Sequence, residues 1–299
     1  MSVQPISLLV GAGLALVIGL AAWRARVLNP QGAAAAALLG TVIFGLGGLG
    51  WAFLLLGFFI SSSVLSRLFR KRKAALDEKF SKGSKRDAGQ VAANGGIAGV
   101  FVLLHLLAPE AAWPWLGFAG ALAAANADTW ATELGVLNRG VPRLITSGKA
   151  VEPGTSGGIS PLGILAATSG ALLIALLGVT FWQGRVLSLP AGAPDWLAWT
   201  LGSGNGSGLA PGQFFPWLVG LTLAGLAGSL VDSLLGATLQ AIYYCPACRK
   251  ETERHPLHSC GTATRQVRGL RWLDNDWVNT LCTLAGAGLA VLMALIFIP

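Results

Sequence analysis

Long apolar blocks separated by short polar segments run along almost the whole chain. Because the core of a bilayer takes about 20 apolar residues of helix, the blocks predict about eight membrane-spanning helices. They cover residues 5–23, 31–47, 49–66, 88–108, 114–134, 159–182, 214–240 and 277–298. Only the glycine-rich stretch 45–50 separates the second span from the third. The pattern predicts an all-α fold, a polytopic transmembrane helix bundle in which residues 1–299 form a single domain.

The composition supports this interpretation. Hydrophobic residues make up 54% of the chain and charged residues only 11%. A soluble domain carries about 25% charged residues, and disordered chains have low hydrophobicity. Both classes are therefore excluded. The formal net charge is +8, which in a soluble protein would suggest a nucleic-acid partner.

The basic residues are distributed on one side of the predicted spans. Of the 21 Lys and Arg, all but Arg185 lie in loops that eight spans place on the same face. The positive-inside rule makes that face cytoplasmic and puts both termini outside the plasma (inner) membrane. The charge therefore indicates orientation, and no nucleic-acid partner is expected. The predicted loops are a cytoplasmic basic loop 67–87, a cytoplasmic glycine-rich loop 136–158, an external loop 183–213 and a cytoplasmic Cys/His loop 243–272.

Acidic residues lie inside the apolar blocks. Asp128 and Glu133 are near the inner end of the fifth span, and Asp232 is near the inner end of the seventh. A carboxylate in a span costs a few kcal/mol and usually marks a functional site, although interhelical hydrogen bonding is the alternative. We expect Asp128 and Asp232 to hold a cation at similar depth. Glu133 is about 140° around the helix from Asp128, so it joins them only if the helix is broken or ends there.

Polar side chains also mark the inner ends of two other spans. Gln90 and Asn94 follow Arg86 at the start of the fourth span, and Asn279 lies in the first turns of the eighth. The basic run before the fourth span is interpreted as a topology determinant that contacts anionic lipid. Its last member, Arg86, is the one assigned to a substrate phosphate.

The loop between the fifth and sixth spans is rich in glycine, serine and threonine. Such backbone can form a nest of N–H donors for phosphate, although a flexible connection is the alternative. Ser160-Pro161 predicts a helix N-cap with proline at the first helical position, and the helix N-terminus favours an anion. The spacing differs from a Walker A loop. The candidate phosphate-binding residues are Thr146, Ser147, Lys149, Gly154, Thr155, Ser156, Gly157 and Gly158.

Three cysteines and a histidine in the Cys/His loop have the spacing of metal ligands. Cys245 and Cys248 form a C-x-x-C pair, and His258 and Cys260 follow as H-x-C. Reducing conditions in the cytoplasm disfavour disulfides, so a zinc-ribbon-like insertion with structural zinc is predicted. His255 is the alternative histidine ligand, and free thiols are the alternative state.

Several stretches of the chain resemble a known integral membrane family, the one that includes the plant phytyl phosphate kinase of vitamin E synthesis and its bacterial and archaeal relatives. The matching stretches are Arg86–Gly95 (RDAGQVAANG), Ala127–Gly135 (ADTWATELG), Gly154–Gly163 (GTSGGISPLG), Asp232–Thr238 (DSLLGAT) and Gly269–Asn279 (GLRWLDNDWVN). An aspartate helix followed by a glycine-rich loop also looks, more loosely, like dolichol kinases and CDP-diacylglycerol synthases.

The resemblance implies phosphoryl transfer from a nucleoside triphosphate, with CTP favoured, to an isoprenyl monophosphate such as phytyl phosphate, giving the diphosphate. It implies that Asp128 and Asp232 hold Mg²⁺, with Glu133 as a third ligand or a contact through water. Lys149 and the backbone of Gly154–Gly158 would cradle the nucleotide phosphates, and Arg86 would clamp the acceptor phosphate. The polar wall of the substrate site would comprise Gln90, Asn94, Asp274, Asn275 and Asn279.

Two rival functions remain open at the level of sequence. A cytidylyltransferase that makes a CDP-lipid would use the same groups and release pyrophosphate. An ion-coupled transporter or lipid scramblase would use Asp128 and Asp232 as ion sites. The clustering of polar residues at the inner face, rather than at the midplane and outer half, favours the enzyme.

Overall fold

The structure, a computed structural model, describes residues 5–69, 85–182 and 212–297. Its helices within these ranges are α1 Pro5–Arg24, α2 Pro30–Val42, α3 Leu49–Leu68, α4 Ala88–Leu107, α5 Trp113–Gly135, α6 Pro161–Phe181, α7 Phe214–Thr238 and α8 Asn275–Phe297. Each coincides with one predicted span, which confirms the all-α membrane bundle. The predicted external loop 183–213 and basic loop 67–87 lie largely outside the described residues.

Seven helices of the described ranges are long and apolar enough to cross a membrane, with α2 counted through to Gly47. The helix outside this set is α5, whose 23 residues are long enough for a span. Its apolar residues are mostly alanine, and Asn126, Asp128 and Glu133 lower its hydropathy. Helix α5 packs against α3, α4, α6, α7 and α8, and every residue from Pro114 to Ala127 is buried. Enclosure by protein replaces contact with lipid, so small and polar residues are tolerated.

Small residues bring the central helices into backbone contact. A Cβ added at Gly120 of α5 would lie 2.6 Å from the carbonyl oxygen of Gly286 in α8. A Cβ at Gly228 of α7 would lie 2.5 Å from the Cβ of Ala124. Close approach of this kind is the usual way in which membrane helices associate. It closes the middle of the bundle where α5, α7 and α8 meet.

A π-helical turn over Ile43–Gly47 separates α2 from α3. Gly48 follows with φ of 80°, a left-handed conformation that glycine adopts without steric cost. The glycine-rich boundary between the second and third predicted spans is therefore a true break between two helices.

The turn between α1 and α2 fixes the backbone of Arg86. The Asn29 N–H donates to the Arg86 carbonyl oxygen at 3.0 Å, and the Arg86 N–H donates to the carbonyl oxygen of Val27 at 3.0 Å. Asp87 then caps α4 in a capping box with Gln90. Arg86 is thus held on both sides by ordered backbone.

Two small antiparallel sheets lie in the polar segments. In the glycine-rich loop, β1 Arg143–Leu144 pairs with β2 Gly158–Ile159. In the Cys/His loop, β3 Ile242–Cys245 lies between β4 Lys250–Thr252 and β5 Arg265–Arg268. The second sheet forms the insertion that the cysteine spacing predicts.

Candidate functional site

A cavity of about 320 Å³ lies where the polar ends of α3 to α8 meet the glycine-rich loop. It is bounded by the last turns of α3, α5 and α7 and by the first turns of α4, α6 and α8. The other ends of α3 and α5 are filled by the rings of Trp51, Trp115 and Phe118. The polar cavity is therefore confined to one face of the bundle.

Most of the residues selected from the sequence line this cavity. They are Arg86, Gln90, Asn94, Asp128, Glu133, Gly154, Thr155, Ser156, Gly157, Gly158, Asp232, Asn275 and Asn279. Four others are not part of the lining, namely Thr146, Ser147, Lys149 and Asp274. The site thus unites residues from α4, α5, α7 and α8 that are up to about two hundred positions apart in sequence.

Asp232 combines burial with negative neighbours. Its Oδ2 atom is buried and has no hydrogen-bond partner among the described residues. Asp128 and Glu253 both interact electrostatically with it. A buried carboxylate oxygen beside two further acids is unfavourable unless a cation is bound. These three residues form the acidic wall of the cavity.

Glu133 lines the same cavity as Asp232, but its neighbours include a hydroxyl group and a guanidinium group. Helix α5 is continuous through Asp128 and ends at Gly135, in the turn that contains Glu133. The Ser66 hydroxyl donates to Glu133 Oε1 at 2.7 Å, and Arg86 interacts electrostatically with this glutamate. Although α5 is unbroken between Asp128 and Glu133, both acids line the cavity, and Glu133 lies on its basic side. A break in the helix is therefore not needed for the two acids to share the cavity.

The basic wall is formed by Arg86, Gln90 and Asn94. The guanidinium of Arg86 lies over the ring of Phe58, 5.7 Å from its centroid. Gln90 accepts the Asp87 N–H, and the Asn94 side chain donates to the carbonyl oxygen of Gln90 at 2.9 Å. Cation–π contact and helix capping together hold this polar stripe at the start of α4.

The glycine-rich loop covers the cavity and leads into α6. Ser160 caps α6 by accepting the Gly163 N–H at 3.1 Å, and Pro161 is the first helical residue, as the sequence predicts. The N–H groups of Thr155 and Gly158 donate to carbonyl oxygens within the loop. Gly157 has φ of 82°, and a Cβ there would lie 2.5 Å from the backbone nitrogen of Ala237 in α7. Glycine is required for this close contact.

The structure places the remaining predicted residues outside the cavity for local reasons. Thr146, Ser147 and Lys149 are exposed on the turn after β1, which closes with the Gly148 N–H donating to the Leu144 carbonyl oxygen at 2.8 Å. Asp274 accepts the N–H groups of Asp276 and Trp277 and thereby caps α8. A cap must point back along its own helix, so Asp274 does not face the cavity.

Glu253 and Ser66 line the cavity but were not selected from the sequence. Glu253 follows β4 and is held by a chain of hydrogen bonds. The Ser156 hydroxyl donates to Gln240 Oε1 at 2.5 Å, and Gln240 Nε2 donates to Glu253 Oε1 at 2.9 Å. Ser66 had a weak signal, since it follows the serine run 61–63 toward the end of a span. Glu253 had no signal in the sequence, because it reaches the site through the pairing of β3 with β4.

Cys245, Cys248, His258 and Cys260 converge, with their donor atoms within 4.8 Å of one another. No other group of three or more potential metal ligands in the described ranges is so close. The sulfurs of Cys245 and Cys260 are 3.6 Å apart, and Nδ1 of His258 lies 3.5 Å from Cys248 and 3.3 Å from Cys260. Tetrahedral zinc with the usual bond lengths separates its ligands by roughly 3.5–3.8 Å. The residues therefore fit a zinc ion.

The alternative histidine ligand lies apart from the cluster, and two of the cluster's thiols have pKa values shifted in opposite directions. His255 stacks on Tyr243 with ring centroids 4.4 Å apart and lies outside the cluster. Hydrogen bonding from Thr262, together with His258, lowers the pKa of Cys260 to about 6, whereas hydrogen bonding with Cys260 raises the pKa of Cys248 to about 11. At neutral pH Cys260 is a thiolate, the form that binds metal.

The bundle is thus an integral membrane protein with a polar cavity at one face, and comparison with known proteins agrees. The family model described as integral membrane protein DUF92 matches residues 13–287. The chain belongs to this family.

The relatives of the chain extend to plants, archaea and cyanobacteria. Protein PGR of Arabidopsis thaliana is 32% identical over 277 residues, which cover 88% of each chain. An uncharacterized membrane protein of Methanocaldococcus jannaschii is 29% identical over 290 residues, covering 96% of this chain and 93% of the relative. A Synechocystis membrane protein is 26% identical over 273 residues, covering 89% and 82%. No solved structure is significantly similar.

Proposed function

We propose that the protein is a magnesium-dependent lipid kinase of the plasma membrane whose cavity opens to the cytoplasm. It transfers the γ-phosphoryl group of a nucleoside triphosphate, with CTP favoured, to an isoprenyl monophosphate such as phytyl phosphate. An acceptor phosphate oxygen forms the new P–O bond while the bond to the β-phosphate oxygen breaks. The products are the isoprenyl diphosphate and the nucleoside diphosphate.

The observation that carries this proposal is the division of one cavity into an acidic wall and a basic wall. Asp128, Asp232 and Glu253 form the first, and Arg86 with Gln90 and Asn94 forms the second. Phosphoryl transfer needs two anionic substrates to be aligned and their charge neutralised, with little covalent chemistry from the protein. A cavity with these two walls at a membrane face has the groups for that task.

The acidic wall has the donor set that Mg²⁺ prefers. Mg²⁺ is usually bound by one or two carboxylates together with substrate phosphates, and it keeps several waters. Asp128 and Asp232 would hold it, with Glu253 adding negative charge and Glu133 contacting its water. When bound, the ion neutralises phosphate charge as the phosphoryl group is transferred.

The glycine-rich loop and the N-terminus of α6 would receive the nucleotide phosphates. The helix dipole favours an anion there, and the backbone from Gly154 to Gly158 lines the cavity. Since Thr155 and Gly158 donate within the loop, the N–H groups of Ser156 and Gly157 are the candidates for phosphate contact. Thr146, Ser147 and Lys149 would contact the nucleotide from the exposed turn.

The basic wall would orient the acceptor. Arg86 binds the acceptor phosphate, and Gln90, Asn94, Asn275 and Asn279 supply the neutral polar groups around it. An acceptor that is already a phosphate needs no strong general base. Arg86 therefore acts by charge and position.

For the Cys/His cluster we propose structural zinc held by Cys245, Cys248, His258 and Cys260. Its ion would fix the tip of the β3–β4 hairpin, in which Cys245 pairs with Lys250. Glu253 follows β4 directly, so the position of this acid in the cavity depends on the hairpin.

The test is an assay of the full chain in lipid nanodiscs with γ-labelled CTP, ATP or UTP, Mg²⁺ and a series of isoprenyl monophosphates. We expect labelled lipid diphosphate, and we expect Asp128→Asn to lower the rate by about a hundredfold or more, as loss of an electrostatic group in a transition state does. Glu110→Gln is the matched control, because this exposed acid lies in the loop between α4 and α5.

Each other outcome contradicts the proposal. Release of pyrophosphate with formation of a CDP-lipid would identify a cytidylyltransferase. Absence of transfer to every acceptor would leave ion-coupled transport or lipid scrambling as the function to test. Full activity of Asp128→Asn would show that Asp128 does not hold the catalytic cation.

A further inference from the structure

A second, smaller cavity adjoins the polar one on the other side of Arg86. It has a volume of about 70 Å³ and lies between α1, α2, α3 and the start of α4. Its apolar walls include Ile18, Leu39, Leu55 and Leu56. For space that is open to the centre of a water-sized sphere, about 10–15 Å³ corresponds to one water, so this pocket takes about five non-hydrogen atoms, the number in one isoprene unit.

The two cavities share a wall. Arg86, Gln90 and Asn94 are the polar residues that line the apolar pocket, and the same three line the polar cavity. Phe58 also lines the apolar pocket, and the Arg86 guanidinium lies over its ring. Arg86 therefore stands at the border, with an aromatic face beside it and the carboxylate of Glu133 as its electrostatic partner.

The direct contact between the Arg86 guanidinium and the apolar wall of the pocket limits which phosphorylated lipids can bind. In a glycerophospholipid, a polar glycerol and its ester groups separate the phosphate from the first apolar chain. In an isoprenyl phosphate, the branched apolar chain begins at the phosphate ester oxygen itself. The Arg86 guanidinium lies directly over the ring of Phe58, so a phosphate bound to Arg86 has an apolar group next to it, and the geometry matches the second kind of ligand.

We propose that this apolar pocket binds the first isoprene unit of the acceptor while Arg86 binds its phosphate. The proposal rests on the proposed function and adds the element that selects isoprenyl phosphates over glycerolipid phosphates. The rest of a longer chain would pass among the apolar side chains of α1 and α2, many of which are exposed on the outside of the bundle.

The experiment uses the full chain in nanodiscs without nucleotide, and its probe is an isoprenyl monophosphate that carries a diazirine on its first isoprene unit. After illumination, mass spectrometry locates the attachment site. We expect attachment to pocket residues of α1, α2 or α3, and competition by unlabelled isoprenyl monophosphate but not by phosphatidic acid. Attachment elsewhere, or equal competition by phosphatidic acid, overturns the proposal.

A pair of variants tests the pocket directly. Ala36→Leu fills it, because Ala36 lines the pocket, whereas Ala34→Leu adds the same carbons at an exposed position on the same helix. We expect Ala36→Leu to lower labelling about tenfold, as small volume changes in apolar pockets do. The Ala34→Leu variant should be labelled to the same extent as the unmodified chain. Equal labelling of the two variants contradicts the assignment.

If Ala36→Leu fails to fold, Leu55→Ala replaces it by widening the pocket. We then expect weaker discrimination between branched isoprenyl and straight-chain alkyl phosphates, and unchanged discrimination contradicts the assignment. Because labelling needs no nucleotide, it separates the two proposals. Labelling in the pocket without phosphoryl transfer contradicts only the proposed kinase activity. Phosphoryl transfer with labelling elsewhere contradicts only the proposed binding pocket.

Discussion

At the scale of single residues, the acidic wall shows how burial turns ordinary carboxylates into a binding site. Asp232 has a buried oxygen for which the described part of the chain offers no hydrogen-bond donor, and Asp128 and Glu253 add negative charge near it. Water or a donor would normally offset such a charge. The carboxyl group of Asp232 lies about two turns before the end of α7 and lines the polar cavity, where a cation can reach it.

Glu253→Gln is predicted to weaken the response to magnesium. The substitution keeps the size of the side chain and its acceptor for Gln240 but removes the charge near Asp232. We expect about tenfold more Mg²⁺ for half-maximal activity, equivalent to roughly 1.4 kcal/mol. A magnesium titration of the phosphoryl-transfer rate measures this.

Glu251→Gln is the matched control for that prediction, since Glu251 is an exposed acid on β4, two residues before Glu253. If the two variants give the same magnesium dependence, Glu253 has no part in holding the cation.

At the scale of elements, the glycine-rich loop is shaped by its contact with α7. Gly157→Ala is predicted to displace the loop, because the new Cβ would meet the backbone of Ala237 and φ is positive. We expect a cost of about 1–3 kcal/mol, and a raised KM for the nucleotide. Kinetics and the thermal midpoint in detergent measure the two effects.

Gly148→Ala separates the steric contact from backbone strain. Gly148 also has a positive φ, of 65°, but a Cβ there meets nothing within 4 Å. Gly148→Ala should lose about 1 kcal/mol from conformation alone, and it should raise the KM for the nucleotide less than Gly157→Ala does. Equal KM values for the two variants would show that docking on α7 does not position the loop.

The Cys/His insertion is the element for which metal removal is predicted to matter. We expect about one zinc per purified chain, and loss of that zinc in Cys245→Ser. Because zinc would fix the hairpin that carries Glu253, we also expect the variant to need more magnesium. Metal analysis and the magnesium titration check the two effects.

The control for zinc is Cys282→Ser, since Cys282 is buried in α8 and lies outside the cluster. Its zinc content should match that of the unmodified chain. A chain that is purified without zinc from zinc-containing medium, or equal zinc in the two variants, contradicts the assignment.

At the scale of the whole molecule, the position of the polar cavity follows from one helix that other helices enclose. Because α5 is surrounded by α3, α4, α6, α7 and α8, its acids near the C-terminal end face neighbouring helices rather than lipid. Hydropathy alone ranks this helix below the others, yet it carries Asp128 and Glu133. The helix least like a membrane span by composition is the one on which the cavity is built.

The sequence alone determined the helices, the cap at Ser160-Pro161 and the convergence of Cys245, Cys248, His258 and Cys260. These features depend on local rules: the length of apolar segments, cap chemistry and short ligand spacings. The same rules indicated Asp128, Asp232 and Arg86 as residues at one end of the bundle.

Only the tertiary structure decided which polar residues share the cavity. Glu253 enters it through the register of β3 with β4, whereas Asp274 caps α8 and Lys149 lies on an exposed turn. The apolar pocket beside Arg86 likewise depends on how α2 packs against α1 and α4. Helical periodicity is local, but the approach of separate elements is set by packing between distant residues, and no single segment contains that information.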